Sequence, residues 1–283
     1  MRQVVDVMKR HYPESLAADW DAVGLVCGDP AASVARILLA VDPVPVVVDE
    51  ALVEQADMVI THHPLFLHGV HSVSPETARG SVVHTLITHG KALYCAHTNA
   101  DHASPGVSDA LALALGISIR GPITALGENS REGIGRVGVL SAPVPLQEFA
   151  AAVDQALPAT AHGIRVAGDL RRPVQRIAVC GGSGDSLLDE LDSDIDVYVT
   201  SDLRHHRAQD FMLDADTCLI DIPHWAGEWI WLNQAADLLR EDLHREGAPV
   251  EIRVSGTPTS PWVQSSPVAT SDISSTSLSA EES

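Results

Sequence analysis

Basic residues are scarce in this chain. Eighteen Lys and Arg face 38 Asp and Glu, a formal charge of −20 with histidine neutral, and no segment is rich in Lys or Arg. Such a surface repels a nucleic-acid backbone or an anionic lipid face, so nucleic-acid and membrane binding are the weaker expectations. Long apolar runs are missing as well. No stretch reaches 18 apolar residues, and the start, MRQVVDVMKRHY, meets charge within ten residues. Neither a spanning helix nor a secretory signal is expected. Cysteine is sparse: Cys27, Cys95, Cys180 and Cys218 stand singly, with no CxxC pair. That usage suits a reducing compartment, and a cytoplasmic location is expected.

What is present is an apolar fraction of 45% in 283 residues, enough for a substantial core in one large domain or two lobes. Short β-branched runs alternate with helical patterns, the mark of α/β architecture with sheets covered by helices. Strands are predicted at 36–41, 57–61, 92–97, 136–140, 176–180, 196–200, 217–221 and 250–254. Helices are predicted at 44–56, 80–90, 106–115, 146–157, 186–192, 204–213 and 225–245. The segment 119–133, IRGPITALGENSREG, carries three glycines and a proline and reads as a joint between lobes at 1–120 and 136–254, with 121–135 as the connection. Eight serines fall among the last twenty residues, 264–283, with no basic or aromatic residue, so a disordered tail is expected there.

The chemistry-bearing residues cluster at predicted strand ends. In VITHHPLF, His62 and His63 close a strand, and Pro64 restrains His63 to extended backbone. Inside a sheet, adjacent side chains point to opposite faces, but at a strand's carboxyl end both imidazoles can face one crevice, where ligands of open α/β sheets sit. Taken alone, the pair is as consistent with a strand cap and an exposed histidine as with two ligands. Company shifts the balance: His97, Asp101 and His102 follow the next strand in CAHTNADH, and DIPHWAGEW places His224 and Glu228 four apart after 217–221. On a helix, positions i and i+4 share a face. Three His and two carboxylates, with no thiolate, suit two hard or borderline divalent ions such as Zn, Mn, Fe, Co or Ni.

Other candidates are read more plainly. Asp202, in TSDLRHHRAQD, reads as an N-cap for the helix after it, and His206 as a pocket-lining or proton-transfer residue. The glycines of VCGGSGD serve either an anion cradle or, more simply, a tight turn and close packing; the lysine of a phosphate loop is missing. Trp225 adjoins His224 and can wall a site for a flat ring, whereas Trp229 and Trp231 read as packing residues. His68 and His71 are candidates for a pocket edge; His11, His84, His89 and His244 read as surface or capping residues.

The stretches DWDAVGLVCGD, VITHHPLF, AHTNADHASPGVSDALA, AVCGGSGD, TSDLRHHRAQD and DIPHWAGEW, in this order, resemble the NIF-three-like (NGG-interacting factor three) family. Bacterial members of that family are commonly called GTP cyclohydrolase 1 type 2 homologues. The resemblance implies a protomer of two similar α/β lobes with mixed sheets, assembled as a ring-shaped homohexamer whose metal sites face an internal cavity. It implies that His62 and His63 each reach one of two divalent ions, that Asp101 and His224 bind a metal, and that Glu228 bridges the pair. Ala22, Ser201, Pro223 and Gly227 depart from the family pattern, which has Asn, Gly, Gly and Ser or Thr there. Three functions follow as expectations. The first is hydrolytic opening of the guanine imidazole ring of GTP with release of formate, with His97 or His206 moving protons and Arg204 and Arg207 meeting the triphosphate. The others are phosphoester hydrolysis on the same ligands, and a non-catalytic metal-binding scaffold or regulator.

Overall fold

A computed structural model describes residues 1–266. In chain order its elements begin with α1 (Arg2–His11), β1 (Gly24–Cys27), β2 (Arg36–Ala40), α2 (Pro45–Val53), β3 (Met58–Thr61), α3 (Ala78–Thr88) and β4 (Ala92–Cys95). There follow α4 (Thr98–His102), α5 (Val107–Ala114), β5 (Ser118–Gly121), β6 (Thr124–Ala125), β7 (Gly133–Ile134), β8 (Arg136–Pro145), α6 (Leu146–Ala156) and β9 (Arg165–Ala167). The last are β10 (Pro173–Ser183), β11 (Val197–Ser201), α7 (His205–Asp214), β12 (Cys218–Asp221), α8 (His224–Arg245) and β13 (Glu251–Val254).

Two mixed sheets carry the fold. The first runs β1-β4-β3-β2-β13 and the second β5-β8-β10-β11-β12-β9, while β6 and β7 form a small hairpin. The central strands MVIT and ALYC are buried at every position, as expected of parallel strands covered on both faces. Helices α2 and α3 seal the outer face of the first sheet through Val47, Val48, Ala51, Val82, Val83 and Leu86. Proline at the first position of α2 and the Thr77 hydroxyl accepting from Gly80 N–H at 3.1 Å start these two helices.

Between the sheets lies one continuous core that includes Ile37 and Leu39 of β2, Leu111 of α5, Ile177 and Val179 of β10, and Trp231 and Leu239 of α8. The long helix α8 packs against strands of both sheets. The two halves are tied again by Arg136, 1% exposed, which meets Asp109 of α5 at 2.6 Å and donates to Gly133 O, Gly135 O and Ala103 O. Every guanidinium contact is thus a charge-assisted or carbonyl bond, as a buried cation requires.

Sheet membership does not follow the boundary drawn from composition. β13, expected in the second lobe at 250–254, pairs in parallel with β2 of the first sheet, Glu251 opposite Arg36 through Val254 opposite Leu39. β5, before the expected connection, pairs with β8 of the second. The glycines and proline of 119–133 mark a strand and a hairpin rather than a plain linker, and α8 carries the chain back across the core. Of the serine-rich tail expected to be disordered, 267–283 lie outside the described residues, whereas Ser265 donates its hydroxyl to Ala161 O at 2.6 Å. Among the described residues no helix is long and apolar enough to cross a membrane.

Candidate metal centre

Three parallel strand ends and one helix start converge between the sheets. Beyond Thr61 the ladder of β3 continues for two residues, His62 N–H donating to Ala40 O at 3.2 Å and His63 N–H to Val41 O at 2.9 Å. Instead of pointing to opposite faces, the two imidazoles lie with ring centres 5.1 Å apart, because the backbone turns into Pro64 and the Thr61 hydroxyl bonds to His63 O at 2.9 Å. Thr98 opens the short helix that presents Asp101, and α8 begins at His224, so that Glu228 falls one turn later on the same face. His224 Nε2 stands 2.9 Å from Glu228 Oε1 and 3.3 Å from His63 Nε2. His62 Nε2 lies 3.4 Å from Glu228 Oε1 and 3.7 Å from Asp101 Oδ1, and His63 Nε2 lies 3.0 Å from Glu228 Oε2. All five expected ligands are therefore brought together, with Glu228 between a His62–Asp101 side and a His63–His224 side.

Each imidazole is oriented by a bond on its far nitrogen. Nδ1–H of His62 donates to Ala96 O at 2.9 Å, that of His63 to Asp42 Oδ1 at 2.7 Å, and that of His224 to Asp202 Oδ2 at 2.6 Å. This leaves the three Nε2 lone pairs aimed at the carboxylates, an arrangement that metal-ligating histidines usually adopt. Acceptor would then face acceptor unless a proton or a metal ion lies between them. His62 Nε2, Asp101 Oδ1 and Glu228 Oε2 are buried with no hydrogen-bond partner, a costly state for polar atoms unless a ligand completes them. Donors about 2.0 Å from a tetrahedral ion stand about 3.3 Å from one another, close to the 3.3 and 3.4 Å separations found here. The residues fit divalent ions.

The electrostatics agree. Burial would lift the Glu228 carboxyl, yet the imidazoles of His63, His224 and His62 hold it well below the usual range. Burial would likewise lower His224, but Glu228 and Asp202 raise it to about 10. His63 is raised well above its ordinary value against its own burial, chiefly by Glu228 and Asp42. Asp101 is pushed up by burial, with His62 and His97 opposing. The cluster holds positive charge in its metal-free form as protons.

His97 joins this group. Its ring centre is 5.2 Å from that of His62 and 5.6 Å from that of His63, and its Nδ1–H donates to Asp21 Oδ1 at 2.9 Å. Asp21 also accepts from Thr98 N–H at 3.0 Å. His102, by contrast, turns away to donate to Leu16 O at 2.8 Å.

Several expected residues fall elsewhere. His206 is exposed on α7, with its ring against His205. Arg204 pairs with Asp185, and Arg207 with Asp189 at 2.9 Å, so both guanidinium groups are spent on neighbouring acids and neither lines a cleft at the metal centre. Asp202 does not cap α7, whose N-cap is Arg204 with no side-chain bond; its left-handed backbone, φ 58°, carries the carboxylate to His224 instead. Trp225 is 7% exposed and lines a cleft of about 610 Å³ with Asp42, His63, His224, Arg165 and Trp262. A second cleft of about 440 Å³ opens on the other side of His63, bordered by His97 and Arg79.

The glycine-rich turn is explained by packing. Gly182 has φ +72°, and a Cβ there would stand 2.6 Å from Glu228 Oε1. A Cβ at Gly227 would lie 2.8 Å from Ile222 Cδ1 and in ordinary contact with Ser201 Oγ at 3.8 Å, so Ile222 is the neighbour that crowds a side chain there. Asp42, Asp21 and Arg165 were not anticipated. Asp42, straight after the buried strand RILLAV, carried the one available signal, a carboxylate at a strand's carboxyl end.

Comparison with known proteins agrees with this architecture. The chain is 45% identical to a Streptomyces coelicolor protein named GTP cyclohydrolase 1 type 2 homolog, across 93% of each. It is 34% identical to the Mycobacterium tuberculosis protein of the same name, across 93% of this chain and 96% of that one. A Staphylococcus aureus hypothetical protein of known structure superposes with a TM-score of 0.84 at 27% identity, over 92% of this chain and 97% of its own. A Bacillus cereus protein related to NIF3 gives 0.81 at 23%, over 92% and 98%. The family model for Duf34/NIF3 (NGG1p interacting factor 3) matches residues 1–261, and the chain belongs to that family.

Proposed function

We propose that the protein is a dinuclear divalent-metal-dependent hydrolase of the GTP cyclohydrolase 1 type 2 class. The carrying observation is the convergence of His62, Asp101, Glu228, His63 and His224 with three ligand atoms buried and unpartnered. His62 and Asp101 would hold one ion and His63 and His224 the other, with Glu228 available to either. Bound there, the ions supply Lewis-acid activation of water and stabilise developing negative charge. The candidates are Zn, Mn, Fe, Co and Ni, by the all-N/O donor set.

The chain's own groups do the rest. His97, its Nδ1–H committed to Asp21 at 2.9 Å, presents its other nitrogen to the cluster and takes the proton from the attacking water. Trp225 forms an apolar wall beside His224 for a flat ring, and Arg165, not Arg204 or Arg207, is the cation at the rim of that cleft. Arg165 is partly occupied by Asp221, at 2.6 Å. On guanine, addition of one water at C8 breaks the C8–N9 bond and leaves a formamide on N7, and a second water hydrolyses that formamide to release formate. A homohexamer in the cytoplasm completes the proposal; the four cysteines are all unpaired, as a reducing compartment allows.

The test is chemical. Protein purified without added metal is analysed for bound ions, reconstituted, and incubated separately with GTP and with p-nitrophenyl phosphate. Formate from GTP is the expected outcome, abolished by His63→Ala. Phosphate or nitrophenol without formate would transfer the same ligands to phosphoester hydrolysis. Much less than two metal equivalents after reconstitution removes the dinuclear centre altogether.

A further inference from the structure

After β13 the chain does not leave the molecule. Ser255, 2% exposed, is locked in place: its N–H donates to Leu39 O at 2.7 Å, its hydroxyl to Glu50 Oε2 at 2.6 Å, and its carbonyl accepts from Trp229 Nε1–H at 2.8 Å. From there GTPTSPW, stiffened by Pro258 and Pro261, runs along the cleft that contains His63 and His224. Its far end is pinned to the loop before β9, with Trp262 edge-on to His162 at 6.4 Å and Ser265 bonded to Ala161 O. Between the two anchors, the Thr259 hydroxyl donates to Asp42 Oδ2, while Asp42 Oδ1 accepts from His63 Nδ1–H. Both oxygens of that carboxylate are thereby fixed.

The three metal-facing histidines are supported differently. His62 leans on a backbone carbonyl and His224 on Asp202, whose side chain is 58% exposed. Asp42 is 24% exposed and, among the described residues, reaches one protein donor besides its histidine, on the strap. We propose that the C-terminal strap is a working part of the metal centre: Thr259 is a positioning residue that fixes Asp42 and, through it, the ring of His63. The proposal rests on the metal-binding reading above. Without the hydroxyl, Asp42 turns more freely, and the His63 lone pair is spread over a wider range of directions. The ion on the His63–His224 side then loses affinity and geometry while the His62–Asp101 side is spared.

The test uses the full chain with cobalt(II), read by competition titration of each equivalent and by the visible absorption of the bound ion. Removing an orienting partner of a metal ligand costs about 10- to 100-fold in affinity, so Asp42→Asn is expected in that range. Thr259→Val and Thr259→Ala, one bond further out, are expected to weaken one equivalent roughly 3- to 10-fold and change its spectrum, on the lower side of that same scale. Thr259→Ser restores both. In an Asp42→Asn background, Thr259→Val adds nothing, because the two act as one unit. Unchanged affinities and spectrum, equal weakening of both equivalents, or a full additional loss in the Asp42→Asn background would each overturn the proposal. A wild-type chain that takes up no cobalt defeats the metal reading and this proposal with it; uptake that ignores Thr259 defeats this proposal alone.

Discussion

At the residue scale, the site depends as much on what is absent as on its ligands. Gly182 tolerates φ +72° and leaves room for Glu228 Oε1, which would lie 2.6 Å from an added Cβ. Gly182→Ala is therefore expected to displace the bridging carboxylate and to abolish uptake of at least one metal equivalent, with a stability loss of about 1 kcal/mol or more from the left-handed backbone. Metal analysis beside thermal unfolding checks it; full stoichiometry in the variant would refute the close-approach argument. Proton linkage gives a second expectation. In the metal-free cluster His224 is raised to about 10 and His63 well above its ordinary value, against their burial and chiefly by Glu228, which favours protonated rings, whereas metal ligation requires neutral nitrogens. Metal binding must release protons, and affinity must rise with pH, by about tenfold per unit for each proton displaced. The metal-free protein moves the other way. Its raised histidines contribute stability that is complete below their ordinary 6.5 and fades as pH climbs through the raised values, while lowered Glu228 contributes above its ordinary 4.5. Calorimetric titration in two buffers of different ionisation enthalpy measures the release; a value of zero at pH 7 contradicts the charge state assigned to the cluster.

At the element scale, the legible features were those that repeat. The buried runs RILLA, MVIT and ALYC stand within a residue or two of their expected bounds, and α8 starts one residue earlier than its periodicity suggested. The cluster of His62, His63, Asp101, His224 and Glu228 was readable because a strand's carboxyl end and an i, i+4 spacing fix position locally. α1 went unmarked although Val4, Val7 and Met8 give it a plain buried face, and α4, β1, β5, β9 and the β6–β7 hairpin, all short, went unmarked too. β1 contributes GLVC, too short and too glycine-flanked to separate from a loop, and its pairing with β4 is a tertiary fact. Partners set by tertiary contact were equally hidden. Asp42 is 21 residues from His63, Asp21 is 76 from His97, and Thr259 is 217 from Asp42. No periodicity links such pairs. The ion pairs of Arg204 and Arg207 were hidden for a related reason: proximity to a motif in sequence took no account of Asp185 and Asp189, which lie 19 and 18 residues before them.

At the scale of the whole molecule, charge and exposed apolar surface pull in opposite directions. A protomer carrying −20 resists association through long-range repulsion. Yet the segment after Pro64 exposes Leu67, Val70 and Val73 at 40%, 49% and 45%, and Trp20 is 59% exposed. Leu67 borders the second cleft beside His63 and His97, so apolar surface lies at the mouth of the proposed metal centre. Exposed apolar side chains grouped in one segment are candidates for a contact surface on an otherwise polar protein. Association that buries it gains about 25 cal/mol per Å², against a repulsion that salt screens beyond about 10 Å at 0.1 M. The homohexamer proposed above is expected to use this segment as a contact. Sedimentation equilibrium of the full chain is expected to return a species about six times 30.1 kDa, more stable at 0.5 M than at 0.02 M salt because the opposing term is electrostatic. Leu67→Glu with Val70→Glu should shift the distribution to smaller species while leaving the metal content per chain unchanged, since neither residue supplies a ligand. A wild-type chain that sediments at the mass of one protomer in both salts would dismiss the assembly, and would leave the exposed apolar edge of the second cleft open to substrate from solvent.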